Sequence, residues 1–155
     1  IGGVSFRHLS MLAQIKSSDD EVWESLRNSG HLSGEPGDSL AIRLGKMRNW
    51  IDGKHFPEDA RIIIQTIIGE EFRENTTEEQ RLFLRELSKS LENCKWDQDS
   101  IKDAIRECMG ICGLRGKDGF EALYWALLGR RHGPRASALI SEMDRHTLIQ
   151  LLKGV

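Results

Sequence analysis

This sequence has no long apolar run, few cysteines and no excess of positive charge, and each shortage excludes something. The longest apolar candidate, Ile62-Ile63-Ile64-Gln65-Thr66-Ile67-Ile68, is far short of the ~20 residues that a membrane-spanning helix needs. Three cysteines, Cys94, Cys108 and Cys112, form neither an even disulfide framework nor a Cys-x-x-Cys pair, so a zinc centre would lack its fourth ligand. The five histidines are scattered and supply no partner motif. Cys108 and Cys112 lie one helical turn apart and read as two buried thiols acting as small hydrophobes. A net charge of -2 advertises no bulk cationic field for nucleic acid. The first residues lack a basic segment followed by an apolar one, so no signal peptide is read there. Together these absences lead to the expectation of a cytoplasmic chain with no membrane partner. The Ile1 start leads to the expectation of a processed product or a piece of something longer.

Catalytic signatures are missing as well. No glycine-rich phosphate loop follows a strand, and Gly110, Gly113, Gly116 and Gly119 match no P-loop spacing. No Gly-x-Ser-x-Gly elbow occurs. The Glu70-Glu71 and Glu78-Glu79 pairs sit in charge-rich runs and read as solvated. No fixed-period repeat and no low-complexity tract appears.

What is present is helical spacing. The chain has 155 residues, 39% hydrophobic and 30% charged, which is a globular composition for one domain or two small subdomains. Phe6, Leu9, Leu12 and Ala13 mark a first amphipathic segment. Ser18-x-x-Glu21 reads as a capping box before Val22, Trp23 and Leu26. Leu40, Leu44, Met47 and Ile51 form one stripe of a long third helix that Gly53 can end. Pro57 opens a turn or short helix, and the β-branched run behind it predicts an extended connector crossing the core. Thr76-x-x-Glu79 reads as a second capping box, with Phe83, Leu84, Leu87 and Leu91 inward. Asp97 or Asp99 caps the next helix, which buries Ile101, Ile105, Cys108 and Met109 and ends at Gly113. Asp118 caps another, with Phe120, Leu123, Tyr124, Leu127 and Leu128 on one face and Gly129 as its stop. A short helix is predicted from Pro134 to Ser141, and a last one is capped by Asp144. The expectation is an all-α, multi-helix array of roughly eight helices with no substantial sheet.

The densest chemical feature is Leu127-Leu128-Gly129-Arg130-Arg131-His132-Gly133-Pro134-Arg135, with three arginines and a histidine between two predicted helices. Arg115 and Lys117 in the preceding loop are secondary candidates. These five cations face two nearby carboxylates, Asp118 and Glu121, in an otherwise acidic chain. Helix ends favour such charge: cations complement the C-terminus of one helix, and the N-terminus of the next draws anions. A solvated cationic loop and an RNA contact are both open on this evidence. Trp125 lies off the centre of its stripe, where it either packs beside the core or stacks an unpaired base.

Phe120-x-x-x-Tyr124-x-x-Leu127-Leu128-Gly129-x-x-x-Gly133-Pro134-Arg135 resembles the C-terminal signature of class I lysyl-tRNA synthetases. Phe6-Arg7-x-Leu9, Arg48-Asn49-Trp50-Ile51 with Phe56-Pro57-Glu58, Thr76-Thr77-Glu78-Glu79-Gln80 and Leu84-Arg85-Glu86-Leu87 agree with that family in order. The Leu-Gly to Gly-Pro element is also similar to the end of glutamyl-tRNA synthetases. One departure is Ala136-Ser137-Ala138, where many members carry glycine. The resemblance implies that residues 1–155 are a C-terminal anticodon-binding region. Within it, a helical subdomain (1–56) and an α-helix cage (76–155) would be joined by 57–75. It further implies a tRNA(Lys) anticodon stem-loop as partner, read by Arg130, Arg131, His132, Arg135, Arg115, Lys117 and Trp125. Lys46, Arg48 and Lys54 would touch the stem-loop from the first subdomain. ATP would bind an N-terminal catalytic domain, because neither a His-Ile-Gly-His nor a Lys-Met-Ser-Lys-Ser motif occurs here, so this chain alone carries no catalytic residue or cofactor. The alternatives are a helical protein-interaction domain without RNA binding, or the equivalent region of a glutamyl-tRNA synthetase.

Overall fold

The structure, a computed structural model, describes residues 4–155. Among the described residues there are nine α-helices, one short 3₁₀ turn and no strand. The chain divides into two compact units, the first ending at Ile62 and the second running from Ile63 to Val155.

The first unit holds α1 (Phe6–Ile15), α2 (Asp19–Asn28), α3 (Asp38–Asp52) and the 3₁₀ turn Glu58–Ala60. Its helices follow the apolar spacing: Leu9, Leu12, Val22, Leu26, Leu44, Met47 and Ile51 are buried. Phe6 departs from that pattern. It is 57% exposed and packs its ring 5.4 Å from Trp50, which meets the buried Phe56 edge-on at 4.6 Å. Ser18 caps α2 through the Glu21 amide at 3.3 Å, but Glu21 returns its carboxylate to the Ser17 amide and hydroxyl rather than to Ser18. Those hydrogen bonds hold the Glu21 carboxyl below its ordinary pKa. Arg48 is engaged within the unit. It donates to the Asp19 carboxylate at 2.5 Å and to the Ala13 carbonyl at 3.1 Å, tying α3 to the end of α1 and the start of α2. The Arg48 guanidinium thus holds the three helices of this unit together through charge-assisted bonds.

The second unit holds α4 (Glu70–Asn75), α5 (Glu78–Glu92), α6 (Gln98–Cys112), α7 (Gly116–Leu128), α8 (Ala136–Ser141) and α9 (Arg145–Lys153). Helix α5 is its centre and packs against α6, α7 and α9, while α8 lies on α6. Phe83, Leu84, Leu87 and Leu91 of α5 are fully buried, as are Ile101, Leu123, Leu127, Leu139, Leu148 and Leu152. Asp97 and Asp144 cap α6 and α9 by accepting from the Ser100 and Thr147 amides, and those bonds hold both carboxyls below their ordinary range.

Several boundaries differ from the sequence reading. The capping box belongs to Thr77 and Gln80: the Gln80 amide donates to Thr77 Oγ1 at 3.2 Å, and the Thr77 amide donates to Gln80 Oε1 at 2.8 Å. Thr76 instead donates its hydroxyl to the Phe72 carbonyl and closes α4, a helix the sequence did not announce. Helix α7 starts at Gly116 after Arg115, with no side-chain cap, so Asp118 sits in its first turn. Its carbonyl accepts from the nearly buried Gln80 Nε2 at 2.8 Å, which fixes the start of α7 against α5. Helix α8 starts at Ala136 rather than Pro134. The isoleucine run does not cross the core, since Ile63 and Ile67 are exposed and Ile62, Ile64 and Ile68 half-buried. With no strand to pair with among the described residues, it keeps to the surface, and part of its backbone is satisfied singly: the Ile62 amide donates to Gln14 Oε1 and the Ile63 carbonyl accepts from Gln65 Nε2. Cys108 is buried and Cys112 half-buried, and burial pushes both thiols up. No group of three metal-ligating side chains occurs among the described residues.

Candidate nucleic-acid interface

Helix α7 ends because Gly129 adopts the left-handed conformation, φ +66°, that an L side chain resists. Its amide donates to the Trp125 carbonyl at 3.1 Å. The last carbonyls of a helix need partners, and here the surface connector supplies them. The Gln65 amide donates to the Leu127 carbonyl at 2.7 Å, and Gln65 Nε2 makes a long contact of 3.5 Å with the Leu128 carbonyl.

The loop after Gly129 folds back on the helix it leaves. A methyl group at Gly133 would stand 2.5 Å from Leu128 Cδ1 and 3.2 Å from Tyr124 Cδ1, so any side chain there would have to displace Leu128 and press on the Tyr124 ring. Tyr124 anchors the other side. Its hydroxyl donates to the Pro134 carbonyl at 2.5 Å and accepts from the Ala136 amide, and burial raises its pKa. This also answers the expectation of an anion-attracting helix start at α8. That helix is six residues long, and the Ala136 amide is already committed to Tyr124. Replacing Tyr124 with phenylalanine leaves both backbone groups without that partner. The expected cost is about 1–3 kcal/mol, with faster hydrogen exchange at the Ala136 amide. An unchanged melting temperature together with unchanged exchange would remove Tyr124 as the anchor.

On this anchored loop Arg131, His132 and Arg135 are exposed and Arg130 is half-buried. Arg131, His132 and Arg135 engage no other side chain among the described residues. The loop therefore carries two arginines, Arg131 and Arg135, that are exposed and engage no other side chain among the described residues. Arg115 and Lys117 are exposed too, but they sit at the opposite end of the 13-residue α7, about 20 Å along its axis. The structure thus does not gather all five cations at one place.

Trp125 is half-buried, one turn before Gly129. It lines a cleft of about 320 Å³ with Gln65, Ile67, Ile68, Glu70, Glu71 and Phe72, and Ala126 and Gly129 complete the wall. Sequence reading found Trp125 but missed Gln65, Glu70 and Glu71. They lie some 60 positions earlier on the connector and α4, where no local pattern links them to α7.

The fold and loop define an all-α module that presents a cationic turn, anchored by Tyr124, beside a cleft lined by Trp125. The family model for the anticodon binding domain matches residues 54–153, and the chain belongs to that family. It is 25% identical over 152 residues, 98% of its length, to a lysine–tRNA ligase of Picrophilus torridus. A lysine–tRNA ligase of Methanopyrus kandleri is 30% identical over 165 residues, covering 97% of this chain. One from Archaeoglobus fulgidus is 26% identical over 153 residues, again 97% of it. The chain spans about 29% of the length of the first two relatives and 30% of the third. No helix among the described residues is long and apolar enough to cross a membrane.

Proposed function

We propose that this chain reads the anticodon loop of tRNA(Lys) as part of a class I lysyl-tRNA synthetase. The observation that carries the reading is the Gly129–Arg135 turn, an anchored, arginine-rich loop in a member of the anticodon binding domain family. Arg130, Arg131 and Arg135 meet phosphates or base edges, and His132 does either. Arg115 and Lys117, at the far end of α7, meet the RNA outside that turn. The names of the relatives support lysine over glutamate. The complete enzyme activates lysine with ATP on a catalytic domain outside this chain, passes it to the tRNA, and works in the cytoplasm.

The test is titration of the chain with a tRNA(Lys) anticodon stem-loop and an altered-anticodon control, at two salt concentrations. The expected result is preferential binding of the lysine loop that weakens steeply as salt rises. Equal, salt-insensitive behaviour toward both RNAs would overturn the reading in favour of a protein-interaction domain.

A further inference from the structure

The cleft beside Trp125 and the arginine turn are adjacent but chemically opposite. Gly129 lines the cleft, and Arg130 follows it directly. Consecutive Cα atoms are 3.8 Å apart, so the Arg131 backbone starts within about 8 Å of the cleft wall. No cation lines the cleft. Its charged side chains are acceptors, since the Glu70 and Glu71 carboxylates accept only, and the Trp125 indole N–H is the one side-chain group in the wall that only donates. Gln65 already spends its Nε2 on the Ile63 carbonyl at 3.2 Å, which leaves Oε1 as an acceptor. The remaining walls are flat and apolar. The Trp125 indole stands with Ile67 and Ile68, and Ile67 is 75% exposed to solvent.

This pairing selects among ligands. A free phosphate or an acidic peptide suits the arginine turn but is repelled by the two carboxylates. An aliphatic side chain suits the apolar walls but leaves the acceptors unused. An unpaired nucleotide matches both halves: a planar base that stacks and offers N–H donors, joined to phosphates that want cations. A volume near 320 Å³ lies at the low end for ligand pockets, enough for one base.

We propose that the Trp125 cleft takes a single unpaired nucleobase presenting N–H donors to Gln65, Glu70 and Glu71, while its flanking phosphates lie on Arg130–His132. The proposal rests on the anticodon-loop reading above and assigns Gln65, Glu70 and Glu71 as specificity-determining residues of that site.

The experiment uses the whole chain and a series of tRNA(Lys) anticodon stem-loops, each with one loop nucleotide made abasic. With the unsubstituted chain, one abasic position is expected to lower affinity about tenfold or more. With Trp125→Leu that same position should cost less than twofold, while the penalties at other positions persist. The exposed pair Glu70→Ala, Glu71→Ala, which removes both the charges and the acceptor oxygens, supplies an independent arm should Trp125→Leu disturb folding, which its melting temperature reports. Removing two negative charges tightens RNA binding if the carboxylates merely repel phosphate. If they accept from a base, the double variant binds about threefold to tenfold more weakly. Tighter binding by the double variant, or identical abasic penalties with and without Trp125, overturns the cleft assignment while leaving anticodon-loop recognition standing. Failure of the unsubstituted chain to bind any loop overturns both.

Discussion

Replacing Arg131 and Arg135 together with alanine is expected to weaken binding of the anticodon stem-loop by about 30- to 100-fold at low salt. A hydrogen bond to a charged group contributes about 1.5–3 kcal/mol, and two such contacts, partly compensated by their neighbours, account for that range. The salt dependence gives a second, sharper signature. Each phosphate contact with single-stranded RNA adds about 0.7 to the slope of log affinity against log salt, so the double variant should lose roughly 1.4. Stability should not change. Both side chains are exposed, and neither engages another side chain among the described residues. Arg130 is left out of the pair because it is half-buried and makes an interaction within the fold. A fall in affinity with a matching fall in melting temperature would point to damage to the loop. Unchanged affinity and slope would move the RNA contact away from this turn. Repeating the titration with Arg115→Ala, Lys117→Ala then measures what the far end of α7 adds. Some 20 Å of helix separates the two groups, so the two losses should be additive on a free-energy scale.

The cationic turn was legible because its causes are local. A glycine that stops one helix, a glycine that lies against it and a proline before the next appear within seven residues, and the arginines lie between them. The helices were legible for the same reason, since a 3.6-residue apolar period and a capping residue at a helix end need no knowledge of distant neighbours. Asp97, Asp144, Gly113 and Gly129 all cap helices in the structure. Thr76 shows where local reading fails. Thr76-x-x-Glu79 and Thr77-x-x-Gln80 are equally good capping boxes on paper, and the choice is made by α4, which uses Thr76 as its own terminator. The isoleucine run has strand chemistry without a strand to pair with. One backbone bond from Gln65 to Leu127 settles its course, and that bond spans 62 residues. The cleft was hidden for the same reason, because most of its lining, from Gln65 to Phe72, comes to Trp125 from a distant part of the chain.

Gly119→Val is expected to destabilise the second unit by about 2–4 kcal/mol, and Gly119→Ala by much less. Glycine is a poor helix residue, and alanine there would ordinarily gain up to about 1 kcal/mol. Space opposes this gain. A methyl group at Gly119 would stand 2.2 Å from Met109 Sδ and 2.8 Å from its Cγ, with Phe83 behind at 3.7 Å. Overpacking a core costs about 1–3 kcal/mol. Methionine is the side chain best able to yield, so alanine comes out near neutral. Valine adds two further methyl groups and a stiff χ1, and Met109 is itself buried with Phe83 fully enclosed beside it, so the strain has nowhere to go. The steric account makes a prediction that simple helix propensity does not: Met109→Ala, harmful alone, should offset part of the loss in the Gly119→Val chain. A coupling of at least about 1 kcal/mol in chemical denaturation is expected for such touching residues. Strict additivity of the two substitutions would show that Gly119 is not held by contact with Met109. The effect bears on function through α7, which carries Lys117 near its start and Trp125 near its end and leads into the arginine turn. Gly119 allows that helix to lie directly on α6, so RNA affinity should fall in Gly119→Val and recover with the second substitution as packing recovers.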